Sequence, residues 1–346
     1  MSPYILTLML LALGLGTSIT FSSTHWLLAW MGLEINTLAI IPLMIQQHHP
    51  RAIEATTKYF MIQATAAATL MFAATTNAWL TGEWEISQMN HPLPLTITTI
   101  ALAFKLGLAP MHAWLPDVMQ GLNLFTGLIL ATWQKLAPIS ILMQVNNNLH
   151  LMILLALMSI IIGGWGGLNQ TQLRKLMAYS SIAHLGWMIL VMQFTPSLTL
   201  LALTIYIVMT VTIFTIFILS KTTNINSLST SWIKTPVTYA MTPLALLSLG
   251  GLPPLTGFLP KWMILQELAK QQLALAATIA ALSALLSLYF YLRLSYAMTL
   301  TVAPNTTTNM MPWRLESKNM KLVIAILMTM TIMLLPISPS ILTILV

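Results

Sequence analysis

The chain has 346 residues, of which 57% are hydrophobic and 6% charged, with a formal net charge of +7. A water-soluble globule of this length must cover its surface with polar groups, and too few are present, so a soluble enzyme, a disordered chain and a nucleic-acid-binding protein are excluded. There is no cysteine, which removes disulfides, thiolate nucleophiles, iron–sulfur ligation and cysteine zinc sites together.

A helix crosses a bilayer with about 20 apolar residues. Eleven runs of that kind follow one another, near 3–21, 25–46, 55–80, 94–120, 125–145, 149–166, 176–193, 197–220, 237–270, 273–294 and 322–345. The first begins at Pro3 with no Arg-rich leader and no small-residue cleavage site, so no targeting segment is expected. Tyr4, Trp26 and Trp79 near run ends suit an interfacial belt, and His25 opens the second run at that level. Glu34 is the tenth residue of the second run. The fourth carries Lys105 at mid-span, is interrupted by Pro110 and Pro116, and has His112 beyond the break. Lys135 stands near the middle of the fifth. Gly163, Gly164, Gly166 and Gly167 flank Trp165 at the end of the sixth and predict close helix packing. His184 lies in the seventh. The ninth is interrupted by Gly250, Gly251, Pro253, Pro254, Gly257 and Pro260, with Lys261 next in the chain. His48, His49, His91 and His150 fall in loops and read as solvated. The 25 methionines read as flexible packing and lipid contact.

Loop charge fixes an orientation. With each loop numbered by the run it follows, even loops and their helix ends carry Arg51, Lys58, Arg174, Lys175, Lys221, Lys234, Arg293, Arg314, Lys318 and Lys321, whereas odd loops carry Lys270 alone. By the positive-inside rule the even loops and the N-terminus face the cytoplasm or its equivalent, the matrix, and eleven crossings put Val346 opposite. Asn169-Gln170-Thr171 and Asn305-Thr306-Thr307 fit the glycosylation pattern, but both fall on the basic face, where glycans are not added, and read as chance matches.

The interrupted runs are the fourth and the ninth. Runs one to five and six to ten then form two five-helix units, each broken at its fourth helix. Five is odd, so the units insert with opposite topology, and paired broken helices mark the site in proteins built this way. The expected fold is an all-α polytopic membrane protein: a single membrane domain with a first inverted repeat over 1–148, a second over 149–298, and a loop and final helix over 299–346.

Glu34, Lys105, Lys135 and Lys261 each cost on the order of 2.5–3.5 kcal/mol at bilayer centre. Snorkelling serves a lysine near a helix end, and a static ion pair that fixes packing is a second reading. The third is a proton relay. Low dielectric disfavours a charged amine and a nearby carboxylate favours it, so making and breaking a Glu34–Lys105 contact would load and unload a proton. Unwound backbone at the breaks Pro110, Gly250, Gly251, Pro253, Pro254 and Pro260 admits water and lets side chains swing. His112 and His184 serve either as packing residues or as further relay members. Phosphate-loop, haem and triad chemistry are not supported: Ser180-Ser181 near His184 lacks an acid partner.

Two stretches carry a resemblance. FKLGLAPMHAWLPDV, Phe104–Val118, and LNQTQLRKLMAYSSIAHLGW, Leu168–Trp187, resemble the lysine-bearing broken helix and the loop-and-helix signature of the antiporter-like subunits of respiratory complex I. MGLEINTLAIIPLM, Met31–Met44, and GGLPPLTGFLPKW, Gly250–Trp262, match one branch of that family more closely than its paralogues. The resemblance implies a core membrane-arm subunit of a mitochondrial inner-membrane NADH:ubiquinone oxidoreductase, pumping protons from matrix to intermembrane space. It implies a regulating Glu34–Lys105 pair, Lys135 as central relay and Lys261 toward the exit. It places NADH, FMN, iron–sulfur clusters and ubiquinone on other subunits, leaves no cofactor on this chain, and makes other membrane-arm subunits and lipid, cardiolipin among them, its partners. The chain differs from the bacterial pattern in having eleven spans rather than fourteen, and Lys261 stands where one paralogue carries Glu. A free-standing cation/proton antiporter and a non-conducting scaffold of the same complex remain open on the residues alone.

Overall fold

The computed structural model describes residues 3–46, 48–145, 148–233, 236–301, 321–338 and 340. Lys234, Arg314, Lys318, the Asn305 triplet and the C-terminal Val346 therefore lie outside the described residues. Helices account for the architecture. The β contacts among the described residues are two isolated bridges, His25 with Glu85 and Gln172 with Asn224. The chain divides into two compact units, Met1–Ser159 and Ile160–Val346.

In the first unit α1 (Pro3–Ser22) starts with proline at its first turn, where the missing N–H costs nothing. It lies against α2 (Trp26–Met44) through small residues. A Cβ on Gly32 would come within 2.8 Å of the Gly16 carbonyl, so only glycine permits this approach. His25 caps α2, its Nδ1 accepting from Leu27 N at 3.2 Å while its ring stacks on Trp84. The same turn, with Trp26 N donating to Trp84 O, closes over Trp26 and buries it completely. Trp26 is therefore core rather than interfacial belt; Tyr4 and Trp79 stay exposed at 83% and 87%.

α3 (Pro50–Thr81) runs 32 residues between the His49 cap and Gly82, whose φ of 80° ends it in the left-handed conformation. At 1.5 Å per residue it is about 48 Å long, well beyond a hydrocarbon core of roughly 30 Å. α4 (Pro92–Leu106) and α5 (Trp114–Gly121) are the halves of the fourth run. The fifth run carries a one-residue irregularity: α6 (Leu124–Ala131) and α7 (Trp133–Gln144) meet at Thr132, whose φ and ψ of −115° and −67° are right-handed but distorted from regular helix values. α8 (Leu149–Gly166) follows.

The second unit contains α9 (Leu173–Met192), α10 (Pro196–Ser220), the short α11 (Ile225–Ser229), α12 (Pro236–Gly250), α13 (Phe258–Lys270), α14 (Ala274–Leu300) and α15 (Lys321–Met333). An Asn224–Ser227 capping box sets α11, an element the apolar runs did not foretell. The glycines beside Trp165 pack closely: a Cβ on Gly163 would lie 2.7 Å from Ala183 N, and one on Gly164 3.0 Å from Leu286 Cβ. The Arg293 guanidinium of α14 donates to the carbonyls of Leu168 and Gln170, so this charge holds a loop in place.

Both units present apolar side chains outward, including Leu8, Leu11, Phe72 and Leu285, and enclose small hydroxyls such as Thr98, Ser180, Ser181 and Thr210. Seven helical segments among the described residues are long and apolar enough to cross a membrane.

Candidate functional site

In the first unit the site begins where α4 stops. Gly107, at φ 74°, ends the helix, its N–H donating to Ala103 O and Phe104 O. The chain then passes through Pro110 and re-enters helix at Trp114. Carbonyls freed by the break find new donors: Trp114 Nε1 reaches Phe104 O at 3.2 Å, and Gln63 Nε2 of α3 reaches Lys105 O at 3.4 Å. Lys105 occupies the last turn of α4, where the negative end of the helix dipole favours a cation. It is 6% exposed, and its Nζ has no hydrogen-bond partner among the described residues.

That ammonium belongs to the lining of a cavity of about 20 Å³, shared with Asn36 and Thr37 of α2, Tyr59 and Gln63 of α3, and Gln134 of α7. Asn36 is 2% exposed, and both polar atoms of its amide are buried without partners. Gln134 Nε2 donates to the Asn36 carbonyl at 3.3 Å, tying α7 to α2. Four helices thus converge around one amine, and its cavity is lined by these polar side chains together with Leu33, Ala137 and Pro138.

Glu34 is half-buried on α2, and its Oε2 accepts from Thr37 Oγ1 at 3.0 Å. Among the described residues no ion pair joins it to Lys105; the ion pairs are Lys58 with Glu54 at 2.8 Å and with Asp117 at 3.8 Å, and Lys270 with Glu267 at 3.3 Å. Lys135 is 4% exposed in the first turn of α7, three residues beyond the irregular Thr132. His112 is half-buried within the break, with Nδ1 3.2 Å from Pro110 O.

In the second unit Gly251, at φ 78°, follows the end of α12, and the segment through Pro253 and Pro254 leads to α13, where Pro260 lies in the first turn. Lys261 reaches back across this break: its Nζ donates to Gly250 O at 2.7 Å, capping the C-terminal end of α12. A Cβ on Gly251 would sit 2.9 Å from Lys261 Cδ, so glycine here makes room for the lysine stem. His184 packs on Tyr206 with ring centroids 5.5 Å apart. His48, His49 and His150 are exposed, but His91 is half-buried with Nδ1 enclosed, so its reading as a solvated loop residue is corrected: it is the N-cap residue of α4, drawn into the packing.

Sequence reasoning selected the charged members and missed Asn36, Thr37, Gln63 and Gln134. The signal was available only in part: Glu34 and Thr37, three apart, share a helix face, but nothing local tells which polar residues of four separate runs meet. Among the described residues no group of three or more His, Asp or Glu could hold a metal ion.

Comparison with known proteins supplies the family. Residues 23–287 match the family described as NADH:quinone oxidoreductase/Mrp antiporter, TM, and residues 288–342 match NADH dehydrogenase subunit 2 C-terminus. NADH-ubiquinone oxidoreductase chain 2 of Tetraodon nigroviridis is 66% identical over 344 residues, covering 99% of both chains, and that of Salmo salar is 63% identical over 347 residues, covering 100% of this chain and 99% of its own. A chain of respiratory complex I from Thermus thermophilus superposes with a TM-score of 0.84 at 27% identity, over 97% of this chain and 80% of that one. The fold also recurs in the Mrp complex of Dietzia sp. at 16% identity and a TM-score of 0.76, over 86% and 61% of the two chains. The broken helices, the enclosed lysines and these matches along the full length agree: the chain belongs to the NADH-ubiquinone oxidoreductase chain 2 family, within the larger group of antiporter-like membrane subunits.

Proposed function

We propose that this chain is a proton-translocating membrane-arm subunit of NADH:ubiquinone oxidoreductase in the mitochondrial inner membrane. It is built as eleven spans in two inverted five-helix repeats and a final helix, with the N-terminus in the matrix. Protons pass from matrix to intermembrane space over Glu34, Lys105, Lys135, Lys261, His112 and His184. The reducing chemistry on NADH, FMN, iron–sulfur clusters and ubiquinone belongs to other subunits, which are its partners together with lipid, cardiolipin included.

The observation that carries this reading is Lys105: an amine enclosed at the end of a half-helix, with no hydrogen-bond partner among the described residues, in a small cavity that Asn36, Thr37, Gln63 and Gln134 share with apolar side chains. A lysine kept only for packing gains nothing from such a place, since burying a charge without a partner costs several kcal/mol, on the order of 3–5. An amine that changes protonation state during a cycle needs both the enclosure and the polar lining. Lys135, enclosed at the start of α7, stands beside a helix irregularity of the kind that accompanies intramembrane chemistry.

The test is Lys135→Met in the intact complex, reconstituted in vesicles. The side chain keeps its length and apolar stem and loses its proton site. Assembly stays normal and fewer protons cross per electron pair. An unchanged ratio in a fully assembled complex overturns the relay and leaves a scaffold, whereas a protein that purifies alone with its own exchange activity is a free-standing antiporter.

A further inference from the structure

The carboxylate and the amine assigned to one switching pair do not touch, and the atoms between them are identifiable. Thr37 Oγ1 stands 3.0 Å from Glu34 Oε2 and 2.9 Å from Glu34 O, and Thr37 also lines the cavity that Lys105 and Asn36 face. Glu34 itself is not part of that lining. Lys105 Nζ and both polar atoms of the Asn36 amide are enclosed without partners. Leaving three such groups unsatisfied is costly, about 1–3 kcal/mol for each neutral group and more for the charged one. A cavity above about 10–15 Å³ with several polar partners is large enough for one water, and this one measures about 20 Å³.

We propose that Glu34 and Lys105 interact through the Thr37 hydroxyl and a single water held in this cavity by Asn36, so that Thr37 is the positioning residue through which the charge state of Glu34 reaches Lys105. This rests on the relay reading above. The water accepts from the Lys105 ammonium and from the Asn36 amide N–H, and donates to Thr37 Oγ1, while the Asn36 amide oxygen lies against Gly16 of α1. The Thr37 hydroxyl donates its one proton to Glu34 Oε2. When Glu34 is protonated or swings away, that hydroxyl turns to its other acceptor, the Glu34 backbone carbonyl, and the chain opens at one link. Glu34 on the flank of α2 and Lys105 inside the four-helix junction are then coupled without either side chain crossing the gap.

The experiment uses the intact complex carrying Thr37→Val, Thr37→Ser, and Thr37→Val combined with Glu34→Gln. Valine keeps the shape and removes the hydroxyl. Coupled turnover falls about tenfold in Thr37→Val, the size of one lost hydrogen bond to a charged group. Serine restores it, and Thr37→Val has no added effect once Glu34 is Gln. Normal turnover in Thr37→Val, beside a defect in Glu34→Gln, overturns the bridge and leaves the relay reading standing. A normal Glu34→Gln complex overturns the relay reading itself. Equal losses from Thr37→Val in both backgrounds make the hydroxyl merely structural and also overturn the bridge. Should Thr37→Val fail to assemble, a high-resolution map of the unaltered complex decides: one water within hydrogen-bond distance of Thr37, Asn36 and Lys105 supports the proposal, and its absence sinks it.

Discussion

Glu34 and Thr37 are three residues apart on one face of α2, so the carboxylate has a hydrogen-bond donor fixed by the helix itself. Glu34→Gln keeps the size and shape of the side chain and removes its charge, leaving the hydroxyl free to turn to the backbone carbonyl at position 34, its other acceptor. If the charge on Glu34 is what Lys105 senses, the variant assembles normally and slows quinone reduction under a membrane potential. The slowing is on the order of 10–100-fold, the equivalent of roughly 1.5–3 kcal/mol of charge-assisted interaction. Dissipating the potential with an uncoupler restores much of the rate, because the proton step no longer works against the gradient. Normal coupled turnover in an assembled Glu34→Gln complex would show that the carboxylate only helps pack α2. The charged residues of the site were legible because an ion in an apolar run stands out whatever its neighbours. Asn36, Thr37, Gln63 and Gln134 were not, since a neutral polar residue in a helix acquires its role only when other helices bring partners to it.

At the level of helices the two main breaks were readable from Gly and Pro, because those residues alter the backbone regardless of tertiary context. Gly107 shows why. Its φ of 74° ends α4, and a Cβ there would meet Leu115 Cδ1 at 2.9 Å, whereas Gly82, at φ 80°, ends α3 in open space. Alanine at either position bears the left-handed conformation at about 1–2 kcal/mol; at Gly107 it must also displace the Leu115 side chain and crowd Trp114. Gly107→Ala therefore lowers the amount of assembled complex on a native gel well below that of Gly82→Ala, and equal levels in the two would mean that the α4–α5 contact is not needed. The irregularity at Thr132 was harder to foresee. Its cue was Pro138, which lacks the N–H that would bond Gln134 O and loosens the preceding turn, while the Thr132 hydroxyl bonds Leu128 O at 2.8 Å. Neither residue breaks a helix by itself. Trp26 failed in the opposite direction: tryptophan near a span end reads as interfacial, yet the 83–86 turn folds over it, a contact between segments some sixty residues apart in the chain that no local pattern encodes.

Across the whole chain, charge asymmetry is the property from which the proposed sidedness of the loops is argued. In the proposed eleven-span topology, ten basic residues on even loops and helix ends against Lys270 on the odd ones favour one orientation by the cost of moving cations across the membrane. Arg293 qualifies that reasoning, since its guanidinium is engaged with the Leu168 and Gln170 carbonyls and so has a structural reason to be where it is. Lys221, exposed in the left-handed C-cap of α10, and Gln271, exposed just beyond α13, have no comparable tie to a distant segment among the described residues. They also fall on opposite faces of the proposed topology. The absence of cysteine makes the assignment directly measurable, because a single introduced thiol is the chain's sole site of labelling. Lys221→Cys in the intact complex reacts with a membrane-impermeant maleimide from the matrix side alone, and Gln271→Cys reacts from the intermembrane-space side alone. Between these positions lies the divided ninth run, α12 and α13, so opposite labelling means that this run crosses the membrane once despite its break. Labelling of both from one side would mean that it turns back within the bilayer, which would destroy the odd count of five on which the inversion of the two repeats depends.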